Sequence, residues 1–140
     1  MCHRGDCMLV YKVDSPWQPM DRKKLVDKVV GFIEDCRRAY GLQLQADNEG
    51  GLTVVLSSEQ GQTEDGFYLR FTLDEGKVYI ANLQVPAGVR RQGIGACCVR
   101  WLQDTARELG LGSVYLESYP EAVAFWKKLG FTPAVREEEF

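Results

Sequence analysis

The segment Val85-Pro86-Ala87-Gly88-Val89-Arg90-Arg91-Gln92-Gly93-Ile94-Gly95-Ala96 constrains the fold more than any other part of the chain. A β-branched and aromatic pattern from Lys77 to Val85 runs into it, and an amphipathic helical pattern leaves it. A strand, a basic glycine-punctuated loop and a helix in direct succession leave backbone N–H groups without intrahelical partners where the helix begins. Those groups and the helix dipole favour an anion. Gly93 and Gly95 have no Cβ to hold a phosphate away from the backbone, and Arg90 and Arg91 add positive charge. The segment therefore predicts a strand–loop–helix unit that binds a phosphate-bearing ligand.

The elements around it follow from periodicity and punctuation. Met8 to Val13 reads as a short strand, closed by Ser15-Pro16-Trp17-Gln18-Pro19. From about Asp21 to Tyr40 the spacing predicts a helix with Leu25, Val29, Phe32, Ile33, Cys36 and Tyr40 on one face and Gly41 in the capping position. Leu42 to Ala46 alternates apolar and polar, Asn48-Glu49-Gly50-Gly51 is a turn, and Leu52 to Leu56 reads as a strand. Glu59 to Gly66 reads as an exposed loop, and Phe67 to Leu73 and Lys77 to Val85 as a hairpin joined through Asp74-Glu75-Gly76. The helix after the basic loop carries Val99, Leu102, Ala106 and Leu109 on one face and closes near Gly110. Ser113 to Ser118 is a strand, Pro120 opens a helix that Gly130 ends, and Phe131 to Val135 is a last strand before the acidic tail Glu137-Glu138-Glu139. This order predicts an α/β or α+β sheet with helices packed on it.

Composition adds bounds. A chain of 140 residues makes one domain with a single core. A net charge of −3 gives no global reason to expect nucleic acid or an acidic membrane as partner. No apolar run approaches a membrane span, and Met1 to Val10 lacks the apolar core of a signal peptide. Five cysteines without framework spacing point to free thiols in a reducing, cytoplasmic setting. Cys2, His3 and Cys7 fall short of a zinc set, so no metal is expected.

Two motifs carry a family resemblance. Arg90-Arg91-Gln92-Gly93-Ile94-Gly95 resembles the R/Q-x-x-G-x-G/A loop of the GNAT superfamily of acyl-CoA-dependent N-acyltransferases, and Leu83-Gln84-Val85-Pro86 resembles the strand that leads to it. One strand further on, Ala122-Val123-Ala124-Phe125-Trp126-Lys127-Lys128-Leu129-Gly130-Phe131 is similar to the A-x-x-F-Y-x-x-x-G-F signature of that family's last helix. The resemblance covers roughly Lys77 to Phe131. It implies a mixed, mostly antiparallel central sheet flanked by helices, whose fourth and fifth strands (here Lys77 to Val85 and Ser113 to Ser118) splay apart. It also implies acetyl-CoA as acyl donor, its pyrophosphate on the amides of Arg90, Arg91, Gln92, Gly93, Ile94, Gly95 and Ala96. The pantetheine arm would pair with the strand edge near Leu83 and Val85, since its two amides suit an unpaired edge. Many relatives carry a further strand pair after the position of Phe131, so the sheet edge is expected to be open or covered by a second copy, as in a homodimer.

The implied reaction joins a thioester to a primary amine whose own identity is not legible. An alkylammonium of pKa about 10.4 is neutral in roughly one molecule in a few thousand at pH 7, so a base is required. Glu117, near the end of Ser113 to Ser118, is the candidate base, a carboxylate there being half-desolvated; an ordinary strand carboxylate is the plain alternative. Trp126 stands where the family usually has tyrosine, and an indole N–H is no general acid. It reads either as packing on the pantetheine or as part of the core stripe Ala122, Phe125, Trp126 and Leu129. The Tyr119 hydroxyl is the candidate replacement. The rival to an enzyme is an acyl-CoA-binding sensor module of the same fold.

Overall fold

The computed structural model describes residues 2–14 and 19–134, and the side chains among them except those of residues 2–6 and 91. Pro16 to Gln18, Val135, the acidic tail, and the side chains of Cys2 and His3 thus lie outside what is described. Among the described residues, seven strands form one sheet: β1 (Cys2–Lys12), β2 (Gln45–Asn48), β3 (Thr53–Ser57), β4 (Tyr68–Asp74), β5 (Lys77–Gln84), β6 (Ser113–Ser118) and β7 (Thr132–Pro133). Three α-helices connect them, α1 (Arg22–Tyr40), α2 (Ile94–Glu108) and α3 (Val123–Lys128).

Local chemistry fixes the ends of these elements. The Asp21 carboxylate accepts the Lys24 N–H at 3.1 Å and starts α1. Gly41, at φ +67°, ends it by donating to the Arg37 carbonyl, while Leu42 donates to that of Cys36. Leu25, Val29, Phe32 and Cys36 form its buried face, as the spacing predicts. Asp74 pairs with Lys77 around a two-residue turn in which Glu75 and Gly76 both have positive φ, the hairpin geometry that matches strand twist. The stretch opened by Pro120 is less helical than expected. A 3-10 turn over Pro120–Ala122 precedes only six residues of α3.

The strand order is β2-β3-β4-β5-β6-β1-β7, antiparallel except for the parallel pair β5–β6 joined through α2. β6 has a second edge, away from β5. That edge is paired along its length by β1, from Cys7 opposite Ser118 to Lys12 opposite Ser113. β7 then pairs with the far side of β1, Leu9 opposite Pro133. The chain thus supplies its own neighbour for β6.

α1 and α2 lie together on one face of the sheet. The rings of Phe32 and Trp101 stack at 4.6 Å, and Phe71 meets Trp101 edge-on from the sheet. Lys28 pairs with Glu108 across the two helices. Beneath them Leu56, Leu69, Ile80, Leu83, Val99, Leu102 and Leu116 are buried in one core. Alternate residues of the central strands, among them Tyr79, Tyr115 and Glu117, point to the other face and are half-buried.

Candidate functional site

The site starts from one extra residue. Opposite β4, Arg70 pairs with Asn82 and Phe71 with Ile80, so Ala81 of β5 has no counterpart. A bulge bends its strand and increases the local twist. The parallel pairing of β5 with β6 runs from Lys77–Ser113 to Ile80–Leu116 and stops there, one residue before the bulge. Beyond it β5 carries on to Gln84 and β6 to Ser118 without pairing to each other. The two strands implied to splay by the resemblance are therefore separated by a built-in bend.

The backbone after β5 does not form an irregular loop. Ala87–Gln92 is a 3-10 turn, entered through the Val89 N–H on the Pro86 carbonyl. Gly93 ends this turn at φ +78° and is at once the residue before α2. Its left-handed conformation is what turns the chain into the helix without an intervening linker. No side chain caps the first turn of α2. Cys97 already bonds back to the Gly93 carbonyl, so the unpaired donors of this terminus belong to the residues around Gly95 and Ala96. Arg90 is tied inward, its Nε donating to the Val85 carbonyl at 3.1 Å, which fixes the turn against the end of the strand.

A cleft of about 470 Å³ opens in front of this terminus, lined by Gln84, Val85, Arg90, Gly93, Gly95, Ala96 and Phe125. Gly95 forms its floor: a Cβ there would stand 3.4 Å from the Phe125 ring and 3.6 Å from Val85. Leu83 and Ile94 are fully buried, so any part they play in the cleft is a backbone part. Gln92 is exposed and is not among the residues that line the cleft. Leu83 is also paired: Cys2 of β1 lies opposite it and opposite Ser118 of β6, across the gap between the two strands.

Trp126 is a correction. It was a candidate for packing on the pantetheine, but its ring is 0 % exposed and stands edge-on to Phe125 and Phe131 within the core. Its neighbour Phe125 is the aromatic that lines the cleft. Glu117 is half-buried on the face away from α1 and α2, and Tyr119 is half-buried just past the end of β6. The Ser118 hydroxyl, itself buried, donates to the Tyr119 carbonyl at 2.8 Å, and the Ala122 N–H reaches the same oxygen at 3.0 Å. Those bonds fix the backbone of Tyr119 just past the end of β6. Gln84, which lines the cleft, is also engaged by a neighbouring loop. Its amide donates to the carbonyls of Thr63 and Gly66, while the Ala87 N–H donates to that of Glu64. The loop between β3 and β4 is thereby clamped to the end of β5.

The thiols divide by burial. Cys7, Cys36, Cys97 and Cys98 are free. The start of α2 does not lower the pKa of Cys98; complete burial pushes that thiol well up.

With this geometry in view, the comparisons with known proteins have a definite content. The sequence matches the Acetyltransferase (GNAT) family over residues 16–131. The chain belongs to the GNAT family. The crystal structure of a GCN5-related N-acetyltransferase from Sphaerobacter thermophilus superposes with a TM-score of 0.51 at 12% identity, covering 91% of this chain and 48% of that one. That likeness carries the GNAT fold, and the chain spans about half the length of this relative. A search of curated protein sequences finds no match. The family match begins after Lys12, so the strand that closes the GNAT sheet beside β6 lies outside the matched region.

Proposed function

We propose that the chain is an acetyl-CoA-dependent N-acetyltransferase that acetylates a primary amine by direct attack within a ternary complex. The observation that carries this reading is the meeting of two features. β5 and β6 part at Ile80 and Leu116, and the uncapped, glycine-floored start of α2 faces the cleft beside that parting. A pyrophosphate needs several converging N–H donors and a helix dipole, and the turn into α2 supplies both. An amide-bearing arm needs a strand edge, which β5 has past its bulge, where Cys2 lies opposite Leu83.

In this reading Glu117 takes a proton from the acceptor ammonium, directly or through water, on the face of the sheet away from α1 and α2. The freed amine nitrogen attacks the thioester carbonyl carbon. A backbone N–H of the 83–85 segment stabilises the oxyanion, and the carbon–sulfur bond then breaks. The leaving thiolate, with a pKa of about 8.5 by analogy with cysteine, departs unaided or takes a proton from the Tyr119 hydroxyl. The products are an acetamide, the free thiol of CoA and one proton. The acceptor is a small-molecule or protein amine.

The test is a melting curve with and without acetyl-CoA, followed by assay of CoA thiol release against a panel of amines and peptides. A ligand at about one hundred times its Kd adds roughly 2.7 kcal/mol of stability, which a melting curve resolves. A shift with thiol release is the expected result. A shift with no release from any acceptor favours the sensor module, and no shift at millimolar acetyl-CoA overturns both. Glu117→Gln is expected to lower kcat by about a hundredfold while leaving the acetyl-CoA shift intact, the signature of a lost base.

A further inference from the structure

We infer that residues 2–6 of the chain occupy the place of the acyl donor's arm in the splay and are displaced when the donor binds. This rests on the reading of the cleft given above and concerns how that same site is controlled.

The register of β1 carries the inference. From Lys12 back to Cys7, β1 follows β6 residue by residue and ends with Cys7 opposite Ser118. A regular strand would then run on past the end of β6. Instead the pairing shifts, and Cys2 comes back to face Ser118 a second time. Residues 3–6 are the slack that allows this return. Cys2 also pairs with Leu83 of β5, so one residue spans the gap between the two strands. That gap begins where β5–β6 pairing ends, at Ile80 and Leu116.

The backbone of this segment thus does what a bound amide-bearing arm would do. It adds to the edge of β5 in the manner of a strand, through main-chain groups and without regard to side chain. The edge at Leu83 cannot serve both. Because the segment is tethered at Cys7, itself locked in the β1–β6 ladder, its effective concentration at the edge is high and does not depend on protein concentration. A donor that binds only the open form has its apparent affinity reduced by the fraction of molecules that are open.

The experiment combines two measurements. Amide hydrogen exchange is followed across residues 2–7 of the full chain, free and with saturating acetyl-CoA. Acetyl-CoA is also titrated calorimetrically into the full chain and into a chain lacking residues 1–6. The expected result is protection of residues 2–6 in the free protein, its loss with acetyl-CoA while Cys7 stays protected, and a Kd about tenfold lower for the shortened chain. Unprotected residues 2–6 in the free protein overturn the inference, as does protection of residues 2–6 that survives saturation. Equal binding to both chains overturns the inference alone, whereas binding to neither overturns the acyl-donor reading with it. The exchange measurement decides the matter on the full chain should the shortened one not fold.

Discussion

Gly93 and Gly95 sit two residues apart and do different work. Gly93 stands at φ +78° with open space around it, so a side chain there would be resisted by the backbone alone. Gly93→Ala is expected to cost about 1–2 kcal/mol in urea denaturation, the usual strain of a left-handed non-glycine residue. Gly95 is the reverse case. An added methyl meets Phe125 at 3.4 Å and Val85 at 3.6 Å, which is ordinary contact, but it rises from the floor of the cleft. Gly95→Ala is expected to melt within a degree or two of the parent while losing most of its stabilisation by acetyl-CoA. Both glycines were legible in the sequence. The choice between Phe125 and Trp126 was not, because two adjacent aromatics on a six-residue helix leave periodicity too short to say which one turns to the cleft. At Cys36, burial beneath α2, with lesser contributions from Cys97 and Asp35, pushes the thiol up to about 12 from its ordinary 9.0. The folded state therefore keeps its proton where the unfolded chain has lost it. The contribution of this thiol is full below pH 9 and falls between 9 and 12, by up to about 1.4 kcal/mol per pH unit. Unfolding free energies measured across that range should fall less steeply in Cys36→Ala.

At the scale of elements, the bulge in β5 decides whether a cleft exists. Deleting Ala81 would set Asn82 directly after Ile80, matching the partners Arg70 and Phe71 of β4 in regular succession. All later residues keep their faces, so the hairpin should still form. β5 would then run straight beside β6, and we expect a folded protein that acetyl-CoA no longer stabilises. The bulge had left a trace in the sequence. Val78 and Ile80 point inward at a spacing of two, but the next inward residue is Leu83, at a spacing of three. The β3–β4 loop offers a gentler perturbation. Gln84→Ala removes the amide that holds Thr63 and Gly66, and the expected result is a loss of about 1 kcal/mol with faster proteolytic nicking between residues 59 and 66. This clamp had no signal in the sequence, since a glutamine that caps a distant loop resembles any half-exposed strand glutamine.

At the scale of the molecule, β1 is an interior strand. It lies between β6 and β7, and Leu9 within it is buried in the core. Removing residues 1–12 is expected to abolish cooperative unfolding in a thermal scan, because it strips the edge of β6 and opens the core beneath it. The elements themselves were largely legible from period and punctuation. Their order in the sheet was not, because the pairing of residues 7–12 with residues 113–118 joins segments too far apart in the chain to leave a local pattern. The same distance bears on synthesis. On the ribosome, residues 7–12 emerge early and wait until β6 has been made before they have a strand to join. At about 5–20 residues per second, that leaves an apolar segment unpartnered for several seconds in every round of translation. The strand that completes the sheet is therefore also the one a nascent-chain chaperone has most time to bind.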